Sequence, residues 1–441
     1  MTQAPAQPAE IESPRDGAGA PRHTPAPPDD DRRLSRRRFG VLVGSHFTVD
    51  LYPIFIVALA VSLQENLGLT NAERALVIAI GPIVSGICQP LFAWIGDVLN
   101  TRLFGPLGLA VGALAIGSIG FAESLTQLLI LQTVGLIGVG VYHPISSAVA
   151  GRLGRDALTG VRFVHSPRTT GLAIFFLAGM LGGTAGPVIA SGINSGTGDM
   201  RWMAVMIVPG LVMAWVLWSA IRAVEHKSAP AGAAAAAPLD RLGLRRWGVA
   251  ALFASNTLRF VANVGCYFLF TAWAREHYAA ADAGFQSQRA SLLVAATTLG
   301  MSVATIIAAF QRPGGERRLL AITGIASAPF ICVIPLLPLP GMLAAAFIAS
   351  TLYFIGIPSG ISLSHRLLPH ATGITGSLLM GMGWVISASG PIAGETILGL
   401  GEHGMLLAFC FMGLMLLLSG LAGLFLNAEL VRDTLAEDAA A

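Results

Sequence analysis

FGVLVGSHFTVDLYPIFIVALAVSLQ, residues 39–64, is one long apolar run with a carboxylic acid in its middle. It exceeds the roughly 20 residues that a helix needs to cross a bilayer core. Asp50 lies about twelve residues into it. A charge at that depth costs about 2.5–3.5 kcal/mol on insertion scales, so it belongs in a bundle interior or a wet cavity. A second run, GVAALFASNTLRFVANVGCYFLFTAW at residues 248–273, carries Arg259 at the same depth. Two such charges point to a transporter.

Outward from these runs, the chain is dominated by membrane segments. Of 441 residues, 54% are hydrophobic and 12% charged, against about 25% charged in an average soluble domain. Apolar runs recur at 39–64, 73–95, 103–121, 125–151, 170–192 and 202–222. They return at 248–273, 287–310, 319–338, 341–364, 372–398 and 404–426. The expected fold is all-α, with twelve transmembrane helices in two six-helix bundles, 39–222 and 248–426. Residues 1–38, rich in Pro, Ala and charge, are expected to be a disordered tail. Residues 223–247 read as a flexible linker holding Arg241, Arg245 and Arg246, and residues 427–441 as a C-terminal tail. The first run starts too late and is too long for a cleavable signal peptide. Cys88, Cys266, Cys332 and Cys410 all fall in apolar runs without metal-ligand spacing and read as small core hydrophobes.

With a cytoplasmic N-terminus, only Arg74, Arg201, Arg275 and Arg289 fall outside, and Arg259 lies within the membrane. Every other Lys and Arg is then cytoplasmic, as the positive-inside rule requires. The expected location is the inner membrane, with both termini cytoplasmic and the halves arranged as parallel repeats. Weak internal similarity agrees. The fifth run carries Thr170-Gly171, Gly182, Gly183 and Gly186-Pro187; the eleventh carries Thr372-Gly373, Gly376, Gly381, Gly383 and Gly390-Pro391.

The twelve runs, the six-plus-six division and the Gly96-Asp97…Arg102 turn resemble the major facilitator superfamily. The ending Gly182-x-x-x-Gly186-Pro187 resembles the motif that antiporters of that superfamily carry in the fifth span. His46-x-x-x-Asp50 with Pro53, Gln89-Pro90, and Tyr142-His143-Pro144 resemble the fosmidomycin-resistance branch of drug exporters. The turn after the eighth run, Gln311 to Arg318, departs from the superfamily pattern. The resemblance implies proton-coupled export and leaves the substrate open.

Read as chemistry, His46 and Asp50 are four apart and share a helix face. A carboxylate beside an imidazole is a candidate proton-binding unit. The alternative is that Asp50 forms a structural ion pair and His46 hydrogen-bonds a carbonyl. His143 either completes a relay or caps backbone groups freed by Pro144. Arg259 offers a planar fork for an anionic substrate, or it neutralises Asp50 across the halves. Asn263 and Tyr267 follow Arg259 on one helical face, as cavity lining or packing. Gln89, Asp97 and Arg102 are candidate gating residues, the last two as a latch on a short turn. Gly182, Gly186 and Pro187 permit close helix packing. Trp384, Ser387 and Ser389 read as packing residues, and Glu395 as wetted.

No paired-carboxylate set, phosphate loop, His/Cys metal spacing or nucleophile elbow is evident, so an enzyme is not expected. Nor is any cofactor, metal or nucleic-acid partner. The expected partners are a small-molecule substrate, protons and the lipid bilayer, with the chain working as a monomer. The expected activity is proton-coupled antiport of a small drug or metabolite, an anion among the candidates. Uptake of an organic anion with protons, or export of an endogenous product such as a siderophore, remains open.

Overall fold

The computed structural model describes residues 29–99, 103–161, 167–222, 241–311 and 314–440. Twelve of its helices are long and apolar enough to cross a membrane. They are built on α1 (Asp29–Leu67), α2 (Asn71–Leu99), α3 (Phe104–Gly117, extended by a short turn to Phe121), α4 (Leu125–Leu158), α5 (Pro167–Thr197) and α6 (Ile207–Ile221, preceded by the 3-10 turn Met200–Met206) in the first half. The second half has α7 (Leu242–His277), α8 (Ala283–Ala309), α9 (Glu316–Val333), α10 (Leu339–Leu367), the span α11 (Ile374–Leu398) and α12 (Gly404–Leu424). A further helix, α13 (Ala428–Ala440), follows.

Local chemistry sets several of the helix starts. Thr70 and Glu73 form a capping box on α2: Thr70 Oγ1 accepts from Glu73 N, and Glu73 Oε2 accepts from Thr70 N at 2.7 Å. Ser124 caps α4 and Asp282 caps α8. The span α11 is broken by a π-helical stretch over Ser377–Met382, a distortion frequent at functional sites.

Helix begins earlier than expected in two segments, and the C-terminal segment is helical. The tail 1–38 is helical from Asp29 onward, and Arg36 Nε donates to Ala157 O at the end of α4. Its Pro-rich part, residues 1–28, lies outside the described residues. The linker 223–247 gives way to α7 at Leu242, and residues 223–240 lie outside the described residues. Arg245 is buried, donates to Leu367 O and pairs with Glu437 of α13; Arg241 pairs with Asp433. The C-terminal tail is therefore an acidic helix paired with the basic start of α7, with Leu430 and Val431 packed in one apolar cluster with Val249 and Leu252.

Each half has its own apolar core, and α1 packs most closely on α5. The second core takes in Val57 and Ala60 of α1 and Ala75 and Ile78 of α2. Polar bonds join the halves at the end of the helices away from the termini. Ser62 Oγ bonds Ala283 O and Ser287 Oγ, Ser291 Oγ donates to Ala58 O, and Arg275 donates to Asn71. Arg74, expected on the outer side of the membrane, is buried at this end. It donates to Gln64 Oε1 at 2.9 Å and lies 5.0 Å over the Phe268 ring of α7. That cation–π contact spans the two halves. Nearer mid-depth, α2 meets the π-helical stretch of α11, where a Cβ on Gly86 would lie 2.4 Å from Gly381 O.

Candidate functional site

His46 and Asp50 stand one turn apart on α1, and α4 brings His143 onto the same carboxylate. His46 Nε2 lies 3.3 Å from Asp50 Oδ2, and His143 Nε2 lies 3.0 Å from Asp50 Oδ1. Each imidazole is pinned from behind. His46 Nδ1 sits 2.7 Å from Phe175 O of α5, and His143 Nδ1 sits 2.7 Å from Val139 O one turn back on α4. The Phe175 ring stacks on His46 with centroids 3.9 Å apart, and Tyr142 bonds Ser45 at 2.7 Å beside them. His46 is 1% exposed, whereas Asp50 and His143 retain 15% and 23%, so the cluster is reached from the His143 side.

The hydrogen bonds to carbonyls fix the tautomer of both imidazoles. A backbone carbonyl can only accept, so both Nδ1 atoms carry hydrogen. Each Nε2 then faces a carboxylate oxygen, and either contact is favourable only when a proton lies between the two atoms. One such proton makes the cluster neutral overall, as carboxylate plus imidazolium or as carboxylic acid plus neutral imidazole. The shorter contact, to His143, is the one this proton fits. Loss of the proton leaves a lone anion, and a second proton leaves a net cation; both are costly away from water. Chemically, the arrangement can hold one proton. His143 binds Asp50 and the backbone carbonyl of Val139 at once.

A glycine face of α5 makes the arrangement possible. A Cβ on Gly179 would lie 2.4 Å from Asp50 Oδ2 and 2.7 Å from His46 Nε2. Further along, Gly182 and Gly186 approach the carbonyls of Phe47 and Leu51, at 2.1 and 2.7 Å from their ideal Cβ positions. Pro187 follows within the same helix. Gly182 and Gly186 were legible as packing residues; Gly179 was missed. Its spacing, three before Gly182 and seven before Gly186, is the signal that places it on their face.

Asp50 and Arg259 do not meet. Arg259 is 0% exposed and its bonds stay within the second half. Nε donates to Ser419 Oγ at 2.8 Å, Nη1 to Thr323 Oγ1 and Tyr353 O, and Nη2 to Leu320 O at 2.7 Å. It thus braces α7 against α9, α10 and α12, over Gly356, whose missing side chain makes room for it. Arg259→Ala should therefore cost about 3 kcal/mol of stability through lost packing and orphaned carbonyls. Thermal unfolding measures this, with the KM of any transported compound expected to stay within about twofold of wild type. Asn263 is buried beside the same brace and accepts from Tyr353 Oη at 2.6 Å, while Tyr267 Oη points to Met301 Sδ at 3.9 Å. Gln89 is half-buried, next to Pro90 at the meeting of α2 with Gly381. Arg102 and the side chain of Asp97 lie outside the described residues.

Residues 42–391 match the model of the Major Facilitator Superfamily. Protein spinster homolog 1 of Xenopus laevis is 30% identical over 157 residues, 35% of this chain and 28% of that protein. The sphingosine-1-phosphate transporter SPNS2 of Mus musculus is 23% identical over 160 residues, 36% of this chain and 27% of that protein. The chain thus spans less than a third of the length of these curated relatives. A bacterial homolog of the human lysosomal transporter Spinster, inward-facing and unoccupied, superposes with TM-score 0.63 at 15% identity, covering 92% of this chain and 99% of that one. A peptide transporter bound to sulfate gives TM-score 0.66 at 16% identity, covering 90% and 95%. At these identities the structures speak for the fold alone.

Proposed function

The chain belongs to the Major Facilitator Superfamily, and from that premise we propose that it is a proton-coupled antiporter exporting a small drug or metabolite by alternating access. Superfamily membership makes it a multi-pass membrane transporter rather than an enzyme. The observation that carries the finer reading is the Asp50 carboxylate held between two imidazoles whose other nitrogens are already committed. A store for one proton, half-shielded inside a helix bundle, is what coupling to a proton gradient needs.

The Lys and Arg bias supports cytoplasmic termini in an inner membrane. On that orientation the Ser62, Ser291 and Arg275 bonds close the outer side. Asp50 and His143 are then reached from the cytoplasm. Gln89 and the Asp97–Arg102 turn act in the inner gate, and the two halves of one monomer suffice for the cycle. The residues His46, Asp50, Pro53, Tyr142, His143 and Pro144 favour the fosmidomycin-resistance type of exporter. Uptake of an organic anion loses its main support, because the guanidinium of Arg259 is occupied by the second half.

Everted membrane vesicles test the proposal. Energised vesicles should accumulate the exported compound, and an uncoupler should abolish that accumulation; screening drugs and endogenous products such as siderophores identifies the cargo. Accumulation that survives collapse of the proton gradient would refute coupling. Overexpression that raises, instead of lowers, the cellular content of the compound would reverse the direction.

A further inference from the structure

We propose that His46, Asp50 and His143 form a binding site for a divalent first-row transition-metal ion of the zinc class. The sequence shows no metal spacing because the third ligand comes from a different helix. In the fold the three ligand atoms all lie within 4.8 Å of one another. The Nε2–oxygen separations are 3.3 and 3.0 Å. A tetrahedral zinc ion with bonds of about 2.0–2.1 Å places its ligands roughly 3.3 Å apart. The two imidazole–carboxylate separations are therefore already near the spacing a bound ion imposes, and the third lies within 4.8 Å.

The second layer agrees. Metal-binding histidines almost always donate the other ring N–H to a carbonyl or carboxylate, which fixes the tautomer and aims the lone pair. Both histidines do this here, at 2.7 Å to Phe175 O and Val139 O. Their Nε2 atoms are thus the ones left to ligate. Gly179 carries no side chain where His46 Nε2 and Asp50 Oδ2 meet, and a Cβ there would lie 2.7 and 2.4 Å from them. Two imidazoles and one carboxylate suit zinc, cobalt or iron(II) better than magnesium or calcium, which favour all-oxygen shells.

The ion takes the place of the proton between carboxylate and imidazole, so that metal entering expels a proton and the two exclude each other. The site and its metal chemistry rest on donor geometry alone and stand independently of the transport reading.

The test uses the full chain, purified with any tag removed, in nanodiscs, and cobalt(II) as an optical probe. One cobalt per protein should give visible d–d bands of a four- or five-coordinate ion, and one equivalent of zinc should erase them. His143→Gln and Asp50→Asn should each weaken cobalt affinity at least about tenfold, whereas His403→Gln, on an exposed turn, should not change it. Size-exclusion profiles and thermal unfolding confirm that each variant is folded. Absence of the bands, or wild-type affinity in both folded triad variants, would overturn the proposal. Because the readout is equilibrium binding, failure here leaves proton-coupled export standing, and failure of vesicle transport leaves the metal site standing.

Discussion

Asp50→Asn should reduce gradient-driven transport by about two orders of magnitude, the scale typical of losing a positioned proton-transfer group. Asparagine keeps the size of the side chain and can still bond one imidazole. It holds no exchangeable proton of the required kind, so the cluster remains packed and ceases to store one. Exchange of labelled for unlabelled compound, which needs no net proton movement, should persist in the variant. A loss of exchange together with gradient-driven transport would mean that Asp50 serves binding or folding instead. The pH dependence has a definite sign. Wild-type export should quicken as the outer side is made more acidic, because that side must deliver the proton, and the variant should be flat.

The second large effect comes from the α5 glycine face. Gly182→Ala would drive a methyl group to 2.1 Å from the backbone carbonyl of Phe47. Backbone cannot swing aside, so α1 and α5 must separate, at about 1–3 kcal/mol for an overpacked contact. Gly179→Ala meets the ends of side chains instead, Asp50 Oδ2 and His46 Nε2. Those ends can move, but only by leaving the hydrogen-bonded arrangement. Gly182→Ala should therefore lower the unfolding temperature, while Gly179→Ala should leave it nearer wild type and lose proton-driven transport. Equal destabilisation by both would show that the face serves packing alone.

Much of this was legible in the amino-acid sequence, for physical reasons. Hydropathy alone marks the twelve spans, because a bilayer demands long apolar helices. His46 and Asp50 could be paired because four residues along a helix return to one face. Depth was readable and direction was not. Asp50 and Arg259 lie at matching positions in their runs, yet Arg259 turns into its own half toward Leu320 O and Tyr353 O. Rotation about a helix axis is set by packing with neighbours, which a single apolar run does not encode. His143 drew notice only through its neighbours Tyr142 and Pro144, since nothing local shows which helix α4 faces. The helical stretch from Asp29 was hidden because charged residues such as Arg36 read as solvent-exposed coil, and only the fold reveals Ala157 O as its anchor. Arg241 and Arg245 looked like linker until the acidic partners Asp433 and Glu437 stood beside them.

The central claim is that substrate leaves as a proton enters through Asp50. It is tested most directly in proteoliposomes carrying a trapped pH-sensitive dye, with a gradient of the transported compound and no initial pH difference. Wild-type protein should move protons opposite to the compound, and Asp50→Asn should move none. Proton movement in Asp50→Asn equal to that of wild type would contradict the account.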